Sequence, residues 1–376
     1  MTPSPHLDVL TPIIADTIAP NAADVDSTGT FPRAGVKALG ESGLLGLISA
    51  TEVGGQGGGL RAAAEVVEHL ARACGSTAMI VCMHYAATAV IEAFGPRETR
   101  EAIARGQHLS TLAFSETGSR SHFWAPLSTA TETSDDRVLL NARKSWVTSA
   151  GEADSYVWSS KPLAADGPST LWLVPSTAAG LDSSGTFDGF GLRGNASRPV
   201  SAADVAVDRA ALLGEDGKGD GIMLSVVLAH FQVMSAAVSL GLMESAIGKS
   251  VEHVTTARLE HLGSRLADLP VTRANIAKMR LLADQARTLL RDTVDAIETG
   301  REDATLRVLE VKAAASEAAI AVTDLAMRVC GGAAFRKEGG LERYVRDARA
   351  ATVMAPTTDA IHDFLGRALC GMPLFD

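Results

Sequence analysis

Two segments about thirty residues apart carry side chains suited to a flat heteroaromatic ligand. TLAFSETGS, residues 111 to 119, places an apolar run before Ser115 and a Gly-Ser turn after it. NARKSWVTSAG, residues 141 to 151, places Trp146 and Thr148 two positions apart in a stretch of strand character. Residues i and i+2 of a regular strand share a face, so this spacing predicts Trp146 and Thr148 side by side. An indole plane beside hydroxyl donors offers a stacking surface and hydrogen bonds to ring nitrogens and carbonyls. A tryptophan that only packs a β-core meets the same pattern, and the residues alone leave both readings open.

Other chemistries find less support. In GGQGGG the pair Gly55 and Gly57 is followed by Leu60 where a dinucleotide fingerprint needs a third glycine, and no strand–loop–helix unit surrounds it. The segment reads as a loop between helices. HExxH, GxxxxGK[ST] and GxSxG are all missing, which excludes three large hydrolase and NTPase classes. Cys74, Cys82, Cys330 and Cys370 show no paired spacing, so they read as small core residues, with no metal expected. Isolated histidines such as His84, His230 and His362 read as polar residues with structural partners.

Three composition zones must position these residues. From Leu7 to about Gly106 the chain reads as helices. From His108 to about Asp208 short β-prone runs alternate with turn residues, giving a small barrel or sandwich. After GEDGKGDG, long helices are expected over Ile222 to Val254, Leu269 to Thr299 and Asp303 to Cys330, with a last one from about Thr358 to Ala368, packed as a bundle. The expected domains are 1–107, 108–220 and 221–376, an α+β chain in the order helical, β, helical. The apolar stretch Ile222 to Ile247 is broken by His230, Gln232, Ser235, Ser239, Glu244 and Ser245, so a buried helix is preferred to a membrane span.

The 376 residues include 46% hydrophobic and 21% charged, an ordinary globular balance. A formal charge of -10 disfavours a surface built for nucleic-acid phosphates or anionic lipid. The opening MTPSPHLDVLTPIIADTIAP lacks a basic n-region and a compact apolar block, so a cytoplasmic location is expected.

Several segments, taken in order, resemble the acyl-CoA dehydrogenase family: GLLGLISATEVGGQG, AFSETGS, NARKSWVTSAG, GLRGNAS followed by DVAV, LLGEDGKG, RVCGGAAF and LERYVRDAR. The resemblance implies an N-terminal helical domain, a central β-barrel or sandwich and a C-terminal four-helix bundle, with FAD as cofactor and an acyl thioester, on CoA or an acyl carrier protein, as substrate. Ser115 stands where the family donates to the flavin pyrimidine edge, Thr148 where it has the hydroxyl near N5, and Trp146 where a side chain covers the ring. Arg258 resembles an arginine that meets the pyrophosphate from a neighbouring subunit, with Leu262 at the following aromatic position. Gly331 and Gly332 resemble a turn that approaches a neighbour's cofactor, Thr357 a threonine bordering it, and Arg328 an added cation for the pyrophosphate. Ser119, Phe231 and Ala355 fall where the family meets its substrate. A homodimer or homotetramer follows, and an electron-transfer flavoprotein is an implied partner.

The family's base breaks this pattern. A glutamate ordinarily removes the proton α to the thioester carbonyl, nine residues after the arginine of RDA; here that position is Ala355, followed by Pro356. The alternative glutamate on the long helix is matched by Phe231. The helix arginine used near the CoA end is Gln232, and the aspartate after the Gly-Ser turn is Arg120. His230, His84 and Asp359 are the candidate replacement bases. Three functions remain open: a dehydrogenase with a non-standard base, a flavin-dependent monooxygenase on the same scaffold, and a catalytically silent flavin-binding homologue.

Overall fold

SYVWSS and TLWLVP combine aromatic and β-branched residues, which fit a pleated surface covered on both faces. They form the centre of a four-stranded sheet, Ser155–Ser160 paired antiparallel with Thr170–Pro175. Ser110–Ala113 runs parallel on one side and Leu212–Leu213 antiparallel on the other. A second four-stranded sheet runs in the order Thr129–Glu132, Arg137–Val147, Arg198–Asp208, Leu181–Asp182. Its two long strands alternate buried and exposed residues, the mark of a sheet covered on one face. The β-region is therefore two open sheets, and the closed-barrel form of the expectation does not occur among the described residues.

The computed structural model describes residues 4–119 and 122–373. Arg120, named above as a departure near the substrate, lies outside them. The chain divides into two compact units: Met1–Val66, Ser76–Gly189 and Arg193–Phe231 in the first, Val67–Gly75, Phe190–Leu192 and Gln232–Asp376 in the second. This grouping differs from the three zones of composition, because long helices such as Leu60–Ala73 and Leu228–Thr256 contribute to both units.

In the first unit, helix Gly75–Phe94 is apolar nearly all round and is buried accordingly. The turn after helix Arg97–Ala104 meets the last turn of helix Arg33–Glu41 so closely that a Cβ on Gly106 would lie 2.1 Å from the carbonyl oxygen of Gly40, so only glycine fits there. In the second unit, Pro270–Glu298 and Ala304–Cys330 form a helical hairpin. Arg301 pins its turn by pairing with Asp292 and Asp303. Leu341–Val353 and Thr358–Leu369 complete the unit; the first of these was not anticipated as a helix. Arg287 bridges Glu68 at 2.8 Å and Glu244 at 2.8 Å, tying three long helices together. The carboxyl of Glu244 is held down to about 2, chiefly by the hydrogen bond from Arg280 and then by Arg287.

Among the described residues, three helices are long and apolar enough to cross a membrane by length and composition, Gly75–Phe94, Gly219–Thr256 and Ala304–Phe335. The first two place most of their apolar windows in the interior. Cys74, Cys82 and Cys330 are buried as expected, whereas Cys370 is exposed, because it lies at the end of the terminal helix.

Candidate functional site

Ser115 and the strand that carries Trp146 are joined by backbone and by charge. The amide of Ser145 donates to the Ser115 carbonyl at 2.9 Å, and Thr117 donates to that of Arg143. Beside them Glu116 and Lys144 form an isolated antiparallel bridge and a buried ion pair, Nζ to Oε1 at 2.5 Å. Lys144 also donates to the carbonyl and hydroxyl of Ser159 at 2.7 and 2.9 Å. Glu116 accepts from Ser128 Oγ and from the amides of Leu127 and Ser128. Burial alone would raise the Glu116 pKa, but the Lys144 ammonium and these hydrogen bonds outweigh it and lower it. Each charge is thus paired and hydrogen-bonded, the condition under which buried charges are tolerated.

The simple alternation expected for Trp146 and Thr148 fails. Between Lys144, opposite Val200, and Val147, opposite Arg198, the strand holds one extra residue. Trp146 lies in this bulge at φ 57°, and Ser149 follows at φ 59°. Positive φ in a bulky residue carries real strain, which persists only where the surroundings enforce it. The consequence is a split in exposure: the indole stands 69% exposed, edge-on to Phe187 at 6.3 Å, while Thr148 is buried with its hydroxyl 3.2 Å from that of Ser197. An indole face presented at the cost of backbone strain, with hydroxyls at Ser115, Thr148 and Ser197 on neighbouring segments, fits the donor set a flavin needs. Ser119 is buried, its hydroxyl turned back onto the Glu116 carbonyl at 3.3 Å.

The three candidate bases are placed very differently. His84 is fully buried and engaged at both nitrogens: Nδ1 accepts from the Ser110 amide at 3.1 Å, so Nε2 donates to the Leu45 carbonyl at 3.0 Å. Burial lowers its pKa to about 4. With no nitrogen left to receive a proton, His84 is corrected from candidate base to structural residue. Asp359 is exposed in the first turn of helix Thr358–Leu369, whose N-cap is Thr357, its hydroxyl accepting from the Ala360 amide at 3.3 Å. That is the favoured place for a carboxylate beside a helix dipole, and it explains Asp359 without chemistry. His230 is half-buried, and its Nδ1 donates to the Val226 carbonyl at 2.8 Å. This leaves Nε2 as the acceptor of a neutral ring, and burial lowers the pKa. The turn of π-helix at Met223–Val227 lies just before it, a distortion often found at functional sites.

In the second unit, Ala355 is bracketed by a buried cation that sequence reasoning missed. Lys312 Nζ donates to the carbonyls of Met354 at 2.8 Å and Pro356 at 2.6 Å. Desolvation pushes its pKa down to about 7. The available signal was a lysine on the apolar stripe Val308, Lys312, Ala315, Ala319, Val322, whose other members are all buried and uncharged. Phe231, the other position matched to a family glutamate, is buried. Arg258, Arg328, Gly331 and Gly332 are exposed, as are Leu262 at 62% and Phe335 at 84%. Gly331 takes φ 57°, and a Cβ on either glycine would meet open space.

Comparison with known proteins now decides the family. Models of the acyl-CoA dehydrogenase N-terminal, middle and C-terminal domains match residues 8–106, 111–205 and 217–370. The human mitochondrial short-chain specific acyl-CoA dehydrogenase is 30% identical over 347 residues, 90% of this chain and 83% of the relative. The chain belongs to the acyl-CoA dehydrogenase family. This family comprises flavin-dependent oxidoreductases acting on the CH–CH bond of acyl thioesters. The fold of butyryl-CoA dehydrogenase from Megasphaera elsdenii superposes with TM-score 0.91 at 22% identity, covering 98% of this chain and 99% of that one. The prolyl acyl carrier protein oxidase AnaB gives 0.88 at 20%, covering 98% and 100%. At those identities the likeness establishes the acyl-CoA dehydrogenase fold, and the roles of individual residues rest on their own geometry.

Proposed function

We propose that this chain is a flavin-dependent dehydrogenase of an acyl thioester, carried on CoA or on an acyl carrier protein, with a non-standard base. The observation that carries this reading is the strained, exposed Trp146 beside Ser115 and Thr148, in a family member whose glutamate position is Ala355. FAD, when bound, supplies the acceptor for a hydride leaving the substrate β carbon. Ser115 and Thr148 hold the ring edge by their hydroxyls, and Trp146 covers its face. The proton α to the carbonyl goes to Nε2 of His230. That role needs a neutral imidazole, and the lowered pKa keeps it neutral near pH 7.

Exposed Leu262 and Phe335, close in sequence to Arg258 and to Gly331 and Gly332, support a homo-oligomer in which these residues reach a neighbour's cofactor. An electron-transfer flavoprotein is the natural acceptor for the reducing equivalents. The test is anaerobic mixing of purified protein with acyl thioesters. Loss of the yellow colour supports dehydrogenation. Product formed only with added reduced flavin and oxygen marks a monooxygenase, and a protein that binds no flavin marks a silent homologue.

A further inference from the structure

A cavity of about 320 Å³ lies within the first unit, and none of Ser115, Trp146 and Thr148 lines it. Its size falls at the lower end of the range for small-molecule sites, about 300–1,000 Å³. Ile18, Val25 and Phe31, all buried, give it apolar walls. Ile18 closes the π-helical turn Ile14–Ile18, a distortion often found at functional sites. Helix Arg33–Glu41 begins at the cavity, and its N-cap residue is Pro32, which has no side-chain acceptor to offer. The amides of Ala34 and Gly35, residues on the cavity wall, have no acceptor among the described residues. Thr77, on the wall as well, is fully buried, and its hydroxyl has no partner. Buried polar groups are almost always paired, so an orphaned hydroxyl beside an uncapped helix N-terminus marks a place for an anion. The wall also holds Asp24, near the C-terminal end of helix Ala19–Thr28, which has no basic residue in its last turn. The Asp24 carboxylate has no partner among the described residues, and the negative end of the helix dipole favours a cation there. Arg33, the cation on this wall, is already paired with Glu152 at 2.5 Å.

We propose that this cavity binds a free α-amino acid with an apolar side chain. The ligand carboxylate accepts from the Ala34 and Gly35 amides and from the Thr77 hydroxyl, its ammonium pairs with Asp24, and its side chain packs on Ile18, Val25 and Phe31. A simple carboxylic acid brings a second negative charge to a cavity whose Asp24 stays unpaired, and an alkylamine leaves the amides and the hydroxyl orphaned. The site is independent of the acyl-thioester reading above, because its occupation needs neither flavin chemistry nor a base.

The test is isothermal titration calorimetry of the holoprotein with L-leucine, L-methionine and L-phenylalanine. At least one is expected to bind saturably, and at least about tenfold tighter than its own deaminated acid or decarboxylated amine, which for leucine are 4-methylpentanoate and 3-methylbutylamine. Asp24→Asn lowers that affinity at least about tenfold. Thr77→Val lowers it about fivefold, and because it removes an unpaired buried hydroxyl it leaves the ligand-free melting temperature unchanged or raised. No saturable binding of any of the three at millimolar concentration overturns the assignment. So does an acid or amine that binds as tightly as its amino acid, or an affinity unchanged in Asp24→Asn or in Thr77→Val. Flavin bleaching by thioesters, present or absent, bears only on the dehydrogenase reading.

Discussion

Lys144 reaches across to Glu116 at 2.5 Å, and the two buried charges lock the segment carrying Ser115 to the strand carrying Trp146. Removing one partner strands the other in the interior, which typically costs about 3–5 kcal/mol. Lys144→Met is therefore expected to lower the melting temperature strongly and to release flavin. The pH dependence follows from the lowered Glu116 pKa: its contribution is present above the ordinary value of 4.5 and is lost as pH falls through the folded value. Thermal melts from pH 7 down to pH 3 should show acid destabilisation in the wild type that is reduced or reversed in Lys144→Met, where protonation relieves the stranded carboxylate.

Trp146 occupies a left-handed bulge position with its indole largely in solvent, so it contributes little to the core and costs backbone strain. Trp146→Gly should leave the melting temperature of the flavin-free protein unchanged or slightly raised. The same substitution should weaken flavin binding by about fivefold to tenfold, since an aromatic stacking contact is worth about 1 kcal/mol. Titration of apoprotein with FAD, beside calorimetry of the same sample, measures the two opposed effects.

Lys312 holds the carbonyls on either side of Ala355 with a pKa pushed down to about 7. Between that value and the ordinary 10.5 the unfolded chain binds a proton that the folded chain does not, so this group makes stability rise with pH across that window. The slope is up to about 1.4 kcal/mol per pH unit. Denaturant melts at pH 6 and pH 9 should show this rise in the wild type and its loss in Lys312→Met.

The base can be tested from both positions. His230→Asn keeps a donor at the Nδ1 position for the Val226 carbonyl but removes the basic nitrogen, and single-turnover flavin reduction should fall by about 10²–10⁴ with FAD affinity unchanged. Ala355→Glu restores the family's usual carboxylate and should raise desaturation of butyryl-CoA. No gain in this variant would show that substrate orientation, as well as the base, differs here.

The order of helical, β and helical zones was legible because apolar periodicity changes from helix-like to strand-like near Ser110 and back near Gly219. The bulge at Trp146 was not, since an extra residue in one strand leaves no local signature and defeats the two-residue rule. His84 could not be separated from His230 by type or spacing: the partners that occupy both its nitrogens, Leu45 and Ser110, are brought to it only by tertiary folding. Glu116, Lys144 and Lys312 drew no reading from the sequence, although Lys312 lies on an apolar stripe that could have marked it. Gln232 was read as the loss of an arginine, and its unpaired burial appears only in the folded chain.

The central claim is hydride removal from an acyl thioester by a flavin held against Trp146. Stopped-flow absorbance near the flavin band, on anaerobic mixing of holoprotein with butyryl-CoA and carrier-bound acyl thioesters, tests it most directly. Rapid bleaching with at least one thioester, slowed in His230→Asn, is the predicted result. A protein that purifies and stays colourless with added FAD, or a bound flavin that no thioester reduces, would contradict it.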